Sequence, residues 1–257
     1  YLPGRGAPGT ATSFYMHKDD QLPSILLSGD DAGIVDLLIP IEGQEFQYEK
    51  IRMVNSTGTI GKMAVGDVNG DGFDDLIVSS RLASANGSYR GVSYVVFGTT
   101  STSAIELSTL EAEGGGGFVI NGVNASDYSG KSVSAAGDVN GDGLDDVIIG
   151  ALNADPNGNN SSGSSYVVFG TDSTAAIELS TLEAEGGGGF VINGVDASDV
   201  SGYSVSGAGD VNGDGLDDVI IGAYQADPNN TDAGASYVVF GTTSTSAIEL
   251  SLSLIHI

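Results

Sequence analysis

An acidic loop of nine residues occurs three times in the sequence, and its residue types are those that bind a metal ion. The copies span residues 67–75, 138–146 and 210–218, and each reads Asp-Val-Asn-Gly-Asp-Gly-(Phe/Leu)-Asp-Asp. Oxygen side chains stand at positions 1, 3, 5 and 9, and the glycine at position 6 permits the sharp turn that directs them to one centre. Because a hard cation takes about six to eight oxygen ligands, several of them anionic, the loop predicts a calcium site.

The predicted ligands are the side chains at positions 1, 3, 5 and 9 and the main-chain carbonyl at position 7. We therefore expect three Ca²⁺ ions, about one per repeat, with the following ligands: Asp67, Asn69, Asp71, Phe73 and Asp75; Asp138, Asn140, Asp142, Leu144 and Asp146; Asp210, Asn212, Asp214, Leu216 and Asp218. Alternation along the loop directs the position-8 aspartates, Asp74, Asp145 and Asp217, away from the ion. The alternative is a set of solvated turns without metal, which the threefold repetition disfavours.

The spacing distinguishes these loops from EF-hands. An EF-hand loop needs a bidentate glutamate at position 12. Here position 12 is apolar and lies within a predicted strand, as Val78, Ile149 or Ile221. The last carboxylate must therefore come from position 9, and the loop joins two strands rather than two helices.

Signals of catalysis are scarce. The chain has two histidines, His17 and His256, and no cysteine, so neither a Ser/His/Asp set nor a thiolate site can be assembled. The well-placed carboxylate pairs all belong to the acidic loops. The sequence therefore predicts a protein that is not an enzyme.

The charge balance excludes several classes of partner. Lys and Arg number 8 against 34 Asp and Glu, which gives a net charge of −26. Such a surface repels nucleic acids and anionic membranes and attracts cations. No apolar run approaches the roughly 18 residues that a membrane span needs, so we expect no membrane insertion. The chain begins at Tyr1 and shows no signal peptide, which predicts an internal piece of a longer protein.

Internal repetition determines the predicted fold. Residues 104–123 recur unchanged at 176–195, a spacing of 72 residues. Within one unit, segments 132–136, 146–150, 166–169 and 190–194 have the apolar or alternating pattern of short strands, separated by glycine-rich turns. Four short antiparallel strands per repeat are typical of a β-propeller blade. Segment 104–110 fits either an extended edge or a short helical turn, and the opening strand of the first copy is about two residues shorter.

These residues resemble a known family. A Phe-Gly pair that ends the third strand and the run Gly-Asp-Val-Asn-Gly-Asp-Gly-Leu-Asp-Asp-Val-Ile-Ile-Gly-Ala are similar to the FG-GAP repeat of integrin α-subunit propellers. The closer resemblance is to the bacterial integrin-α-like repeats of large secreted or surface proteins, and it covers residues 46–251. It implies an all-β propeller of integrin α type with Ca²⁺ between the first and second strands of each blade. With three clear blades and a degenerate fourth, we expect an incomplete ring.

The resemblance divides the chain into five predicted segments. Residues 1–45, where 25–27 and 34–39 have strand patterns, are a linker or a degenerate blade. FG-GAP repeats follow at 46–117, 118–189 and, truncated, 190–251. Residues 252–257 depart abruptly from the repeat and are expected to be a non-native tail.

Together these observations predict a calcium-binding interaction module of a secreted or cell-surface protein, with adhesion implied by the family resemblance. The expected partner is an extracellular protein or glycan, contacted by exposed loops such as 153–163. The alternative is a non-catalytic accessory propeller of an extracellular hydrolase. A third possibility is a purely structural spacer.

Overall fold

The computed structural model describes residues 61–83, 89–99, 105–112, 116–184, 188–227 and 233–250, together with the backbone of four strands nearer the N-terminus. Those four strands are β1 Ala11–Phe14, β2 Ser24–Ser28, β3 Ile34–Pro40 and β4 Tyr48–Val54. The predicted tail at 252–257 and both histidines lie outside the described residues.

Strands dominate the rest of the described chain. They are β5 Met63–Gly66, β6 Asp75–Ser80, β7 Val92–Val96, β8 Ile105–Glu106, β9 Gly117–Asn121, β10 Ser132–Gly137, β11 Asp146–Ala151, β12 Ser164–Val168, β13 Ile177–Glu178, β14 Gly189–Asn193, β15 Ser201–Gly209, β16 Asp218–Ala223, β17 Ala235–Val239 and β18 Ile248–Glu249. The helical segments are short: the 3₁₀ helices Leu107–Ala112 and Pro156–Gly158, and the α-helix Leu179–Glu183, here α1. The predicted all-β class is confirmed.

Each acidic loop lies in the first hairpin of an antiparallel sheet. One sheet has the order β5-β6-β7-β9, the next has β10-β11-β12-β14, and the third contains β15-β16-β17 among the described residues. The predicted four-stranded blade is thereby confirmed. The first strand of the first blade has four residues and that of the second has six, as predicted from the sequence.

A two-residue strand from the following repeat extends the outer edge of each of the first two blades. Ile177 in β13 lies opposite Ile120 in a parallel pairing with β9, and β18 pairs with β14 in the same way. Side chains reinforce the contact, because the Asn121 amide donates to the Glu178 carboxylate at 2.7 Å. The two alternatives for segment 104–110 are both realised, since a short edge strand leads directly into a helical turn.

The N-terminal strands pair in the same order as the acidic-loop blades. Strands β1 to β4 are consecutive antiparallel neighbours, and β8 from the next repeat extends the sheet in parallel with β4. The strand patterns at 25–27 and 34–39 are confirmed by β2 and β3. Strand β4 lies C-terminal to residue 45 and completes this sheet.

The core lies between sheets as well as within them. Along β11, Val147 and Ile149 pack into an apolar cluster shared with the preceding sheet, and Ile148 packs into one shared with the following sheet. Since successive side chains of a strand point to opposite faces, a strand buried on both faces needs a continuous apolar run. Tyr94, Tyr166 and Tyr237, predicted to be packing residues, are buried.

Close approach between sheets makes Gly163 a sensitive position. Its φ is +82°, and an added Cβ would overlap the main-chain oxygen of Ser201 in the next repeat. Gly158 has a similar φ of +77° but faces open space. We expect Gly163→Ala to lower the free energy of unfolding by about 1–3 kcal/mol more than Gly158→Ala, because only the former forces the sheets apart.

Urea unfolding followed by circular dichroism measures both variants. Equal losses would show that the strained φ alone, and not the contact between sheets, makes Gly163 necessary.

Candidate metal-binding loops

Two glycines give each acidic loop its shape. In the second loop Gly141 and Gly143, at positions 4 and 6, have φ values of +81° and +90°, and the other two loops repeat this pattern. Positive φ is strained for residues with a Cβ, so both positions require glycine. The sequence predicted a need for glycine at position 6 only, although the repeated Asn-Gly-Asp-Gly contains a glycine at both positions.

The position-1 aspartate accepts hydrogen bonds from the turn that follows it. In the second loop the carboxylate of Asp138 accepts from the N–H groups of Gly141 at 2.7 Å, Asp142 at 3.0 Å and Gly143 at 2.9 Å. The third loop repeats these contacts through Asp210. The first loop differs, because Asp67 Oδ2 accepts from Gly72 while its Oδ1 is buried without a hydrogen-bond partner.

Positions 3 and 5 form a chain of short-range hydrogen bonds. Asn140 Oδ1 accepts from the Asp142 N–H at 2.7 Å, and the Asn140 amide donates to Asp142 Oδ2 at 2.9 Å. Asp142 Oδ1 in turn accepts from the N–H of Leu144 at position 7. Asp142 is exposed, so this side of the loop is open to an ion from solvent.

The position-9 aspartate is the anchor of each loop. Asp146 is fully buried, and its Oδ2 accepts from the Val139 N–H at 2.9 Å while its Oδ1 accepts from the Gly170 N–H at 2.8 Å. Asp75 and Asp218 make the equivalent contacts. Gly170 is the glycine of the Phe-Gly pair after the third strand, and an added Cβ would meet Leu144 Cβ at 2.6 Å. The Phe-Gly motif therefore provides a donor to the loop and room for it.

Burial opposes the ionisation of two of these anchors. It raises the pKa of Asp75 and of Asp146 to about 7, against hydrogen bonds from backbone amides that lower it. Neighbouring carboxylates act in the same direction as burial, from Asp71 on Asp75 and from Asp142 on Asp146. A nearby cation would favour the charged form of each anchor.

The position-8 aspartate reaches the neighbouring loop. Asp145 Oδ2 accepts from the N–H of Asp67 at 2.9 Å, and Asp217 Oδ2 accepts from the N–H of Asp138 at 3.0 Å. Sequence reasoning gave these aspartates no partner, because the contact spans 78 or 79 residues of chain.

The donor chemistry of the loops fits calcium. Each loop contains five predicted ligand residues, all of which would offer oxygen, and the unpartnered Oδ1 of Asp67 is a buried acceptor available to a cation. In the part of the chain that is described, however, no three acidic or histidine side chains are gathered as a bound metal requires. The carboxylates of the loop aspartates accept hydrogen bonds from backbone N–H groups instead. The ligand sets therefore remain a prediction.

No helix among the described residues has the length and apolar character of a bilayer-crossing segment.

Three segments match the FG-GAP repeat family, at residues 62–96, 129–168 and 201–239. Each match contains one acidic loop and ends with the last residue of the third strand, β7, β12 or β17. The predicted FG-GAP resemblance and its propeller blades are confirmed.

Curated relatives include integrin α chains. The chain is 33% identical over 173 residues to integrin alpha pat-2 of Caenorhabditis elegans and 28% identical over 206 residues to integrin alpha-PS2 of Drosophila melanogaster, matches that cover 65% and 78% of this chain. It is also 30% identical over 192 residues, 68% of its length, to a phosphatidylinositol-glycan-specific phospholipase D of Dictyostelium discoideum. The matches cover 13% of each of these integrins and 19% of the phospholipase.

The raised pKa values predict an unusual pH dependence in the calcium-free chain. Because Asp75 and Asp146 have a pKa of about 7 when folded, against 3.8 for an ordinary aspartate, the folded state binds more protons between these values. The free energy of unfolding should therefore fall as pH rises from about 4 to about 7, and level off above that.

Carboxyl ¹³C NMR titration in EGTA measures the two pKa values directly, and urea unfolding across the same pH range measures the stability. High salt serves as the control, since it screens the repulsion that the net charge of −26 adds at higher pH. Titration midpoints near 4 for both aspartates would contradict the expectation.

Proposed function

The chain carries three FG-GAP repeats of integrin α type, and on that premise we propose that it is part of a calcium-binding β-propeller that contacts a ligand outside the cell. The observation that carries the proposal is the threefold repetition of one loop, each copy fixed by a buried position-9 aspartate. The calcium is structural in this proposal, and the parent protein is secreted or attached to the cell surface.

Calcium would relieve an electrostatic conflict within each loop. Three predicted ligand carboxylates lie within nine residues, and in the first two loops the anchor among them is buried where its charge is disfavoured. The carboxylate oxygens of positions 1, 5 and 9, with the amide oxygen of position 3 and the carbonyl of position 7, would hold the ion. Bound calcium supplies the positive charge that the hairpin lacks, and it would stabilise the blade by binding the folded state alone.

Ligand contact is assigned to the loops at the opposite end of the sheets. Strand β11 leaves the acidic loop, so the connection from β11 to β12 emerges at the other end of the sheet. This connection contains the exposed residues Asp155, Asn157 and Asn160. Its counterparts in neighbouring repeats would form one surface suited to an extracellular protein or glycan, and adhesion is the activity that such a surface supports.

A second candidate function is an accessory propeller of an extracellular hydrolase. The similarity to a phosphatidylinositol-glycan-specific phospholipase D favours it, since most of this chain aligns with a part of that protein. In this proposal the propeller itself contributes no catalytic residue. Sequencing the gene on both sides of this chain distinguishes the two, because a hydrolase domain would favour the second and further adhesin-type repeats the first.

Calcium should raise the thermal stability of the chain. We expect a higher Tm in millimolar calcium than in EDTA, given an affinity of about 10⁻⁴–10⁻³ M as in extracellular modules, and a smaller gain from magnesium, which requires stricter octahedral geometry. Asp142→Ala should lose part of the gain, because it removes a predicted ligand that is exposed to solvent.

Asp172→Ala is the matched control, since Asp172 is also exposed but lies outside the loops. Differential scanning calorimetry in both buffers measures all three chains. Identical melting curves with calcium and with EDTA would refute the structural role of the ion.

Binding to glycan and matrix-protein arrays tests the contact surface. We expect binding to require calcium and to weaken when the β11–β12 connection is altered by Asn160→Ala, while Asp172→Ala leaves it unchanged. Uniformly negative arrays with the complete propeller would favour the structural spacer instead.

A further inference from the structure

The position-8 aspartates join neighbouring acidic loops through paired hydrogen bonds. Asp145 Oδ2 accepts from the N–H of Asp67 at 2.9 Å, and the N–H of Asp145 donates to the carbonyl of Asp67 at 3.1 Å. Asp217 and Asp138 make the same pair, with both distances at 3.0 Å. Each position-8 residue thus fixes both main-chain polar groups of the position-1 residue in the preceding loop.

The glycine before position 1 makes room for this contact. An added Cβ at Gly66 would meet Asp145 Oδ2 at 2.9 Å, and one at Gly137 would overlap the carboxylate of Asp217. In the third loop the equivalent Gly209 has open space, and no described residue fills the place of the aspartate. The paired contact therefore requires an aspartate at position 8 of one loop and a glycine immediately before position 1 of the preceding loop.

The contact connects predicted ligands of two different ions. Position 1 supplies a carboxylate to its own loop, and position 8 immediately precedes the buried position-9 anchor of the next loop. An ion that ordered Asp146 in the second loop would therefore also order Asp145, and through it the backbone of Asp67. Asp67 depends on this support most, since its Oδ1 is buried without a partner.

We propose that Asp145 and Asp217 are positioning residues that couple adjacent calcium loops, so that each holds the position-1 ligand of the preceding loop in place. The inference rests on the proposed calcium binding. It names the loop whose backbone each residue holds directly: Asp217 holds the loop at 138–146, and Asp145 holds the loop at 67–75. Coupling between sites is reciprocal, so an ion in either loop of a pair favours an ion in the other.

The position-6 glycines provide a separate reporter for each loop. The N–H groups of Gly72, Gly143 and Gly215 each donate to the position-1 carboxylate of their own loop, at 3.1, 2.9 and 2.9 Å. Calcium titration of the ¹⁵N-labelled chain, followed at these three amides by NMR, gives one affinity per loop.

Asp217→Ala should weaken calcium binding at Gly143 by about fivefold or more, the lower range of typical coupling between sites, and should change the affinity reported by Gly72 less. Asp217→Asn should restore most of the affinity, because its side-chain oxygen still accepts from Asp138. Asp145→Ala should weaken binding most at Gly72 and change the affinity reported by Gly215 least. Asp172→Ala, with the same loss of charge at an exposed position, should change none of the three.

A second pair of variants leaves every charge in place. Gly137→Ala displaces the Asp217 carboxylate, whereas Gly209→Ala introduces the same residue at a φ of +68° without meeting a partner. Gly137→Ala should therefore weaken its own loop more than Gly209→Ala weakens the third loop. This comparison decides the question if Asp217→Ala does not fold.

The inference is overturned if Asp217→Ala affects only Gly215, if its alanine and asparagine variants weaken Gly143 equally, or if the two glycine variants are equivalent. If calcium moves none of the three glycine amides in the unsubstituted chain, the proposed calcium function fails together with this inference. If calcium shifts the three glycine amides in the unsubstituted chain, but Asp145→Ala and Asp217→Ala leave the calcium affinity of the preceding loop unchanged, this inference alone is overturned.

Discussion

The buried position-9 carboxylate is the constraint on which each blade depends. Asp146 lies at the first residue of β11, accepts from Val139 near the start of its loop, and accepts from Gly170 beyond the third strand. The Asp146 carboxylate therefore joins the start of β11, the start of the acidic loop and the residues after the third strand. Burying a carboxylate costs free energy unless its oxygens are fully hydrogen-bonded, so the loop can adopt few other conformations. The Phe-Gly pair and the Asp-Val start of the loop are both consequences of that requirement.

Dependence between neighbouring sheets is the second level of organisation. Strand β11 is buried on both faces, and its side chains contribute alternately to the clusters shared with the preceding and following sheets. Val68 and Val139 at position 2 are fully buried, whereas Val211 in the third loop is 58% exposed. The same residue type is therefore core or surface according to whether a neighbouring sheet covers it. This is the behaviour of repeat proteins, in which each unit is stabilised by its neighbours.

Local signals made most of the fold predictable from the sequence. Period-two alternation, glycine-bounded apolar runs and the threefold loop predicted the strands, their hairpins and the burial of Tyr166. Features that depend on distant residues were not predicted. The partner of Asp145 is 78 residues away, and β13 is too short to show any period and lies on a sheet of the preceding repeat. The ligand sets stay predictions, because their geometry depends on the ion as well as on the chain.

Because a sheet takes its edge strand from the following repeat, one repeat of the sequence does not coincide with one sheet of the structure. Residues 104–123 and 176–195 are identical, and each copy supplies an edge strand to the sheet before it and then begins the fourth strand of the next sheet. Either of these two segments could therefore supply the edge strand and the fourth strand at the other's position. A gene of this kind can gain or lose whole repeats by unequal recombination between identical segments, and each product retains complementary interfaces without further substitution. The length of such an array can then change much faster than the surface chemistry of its blades.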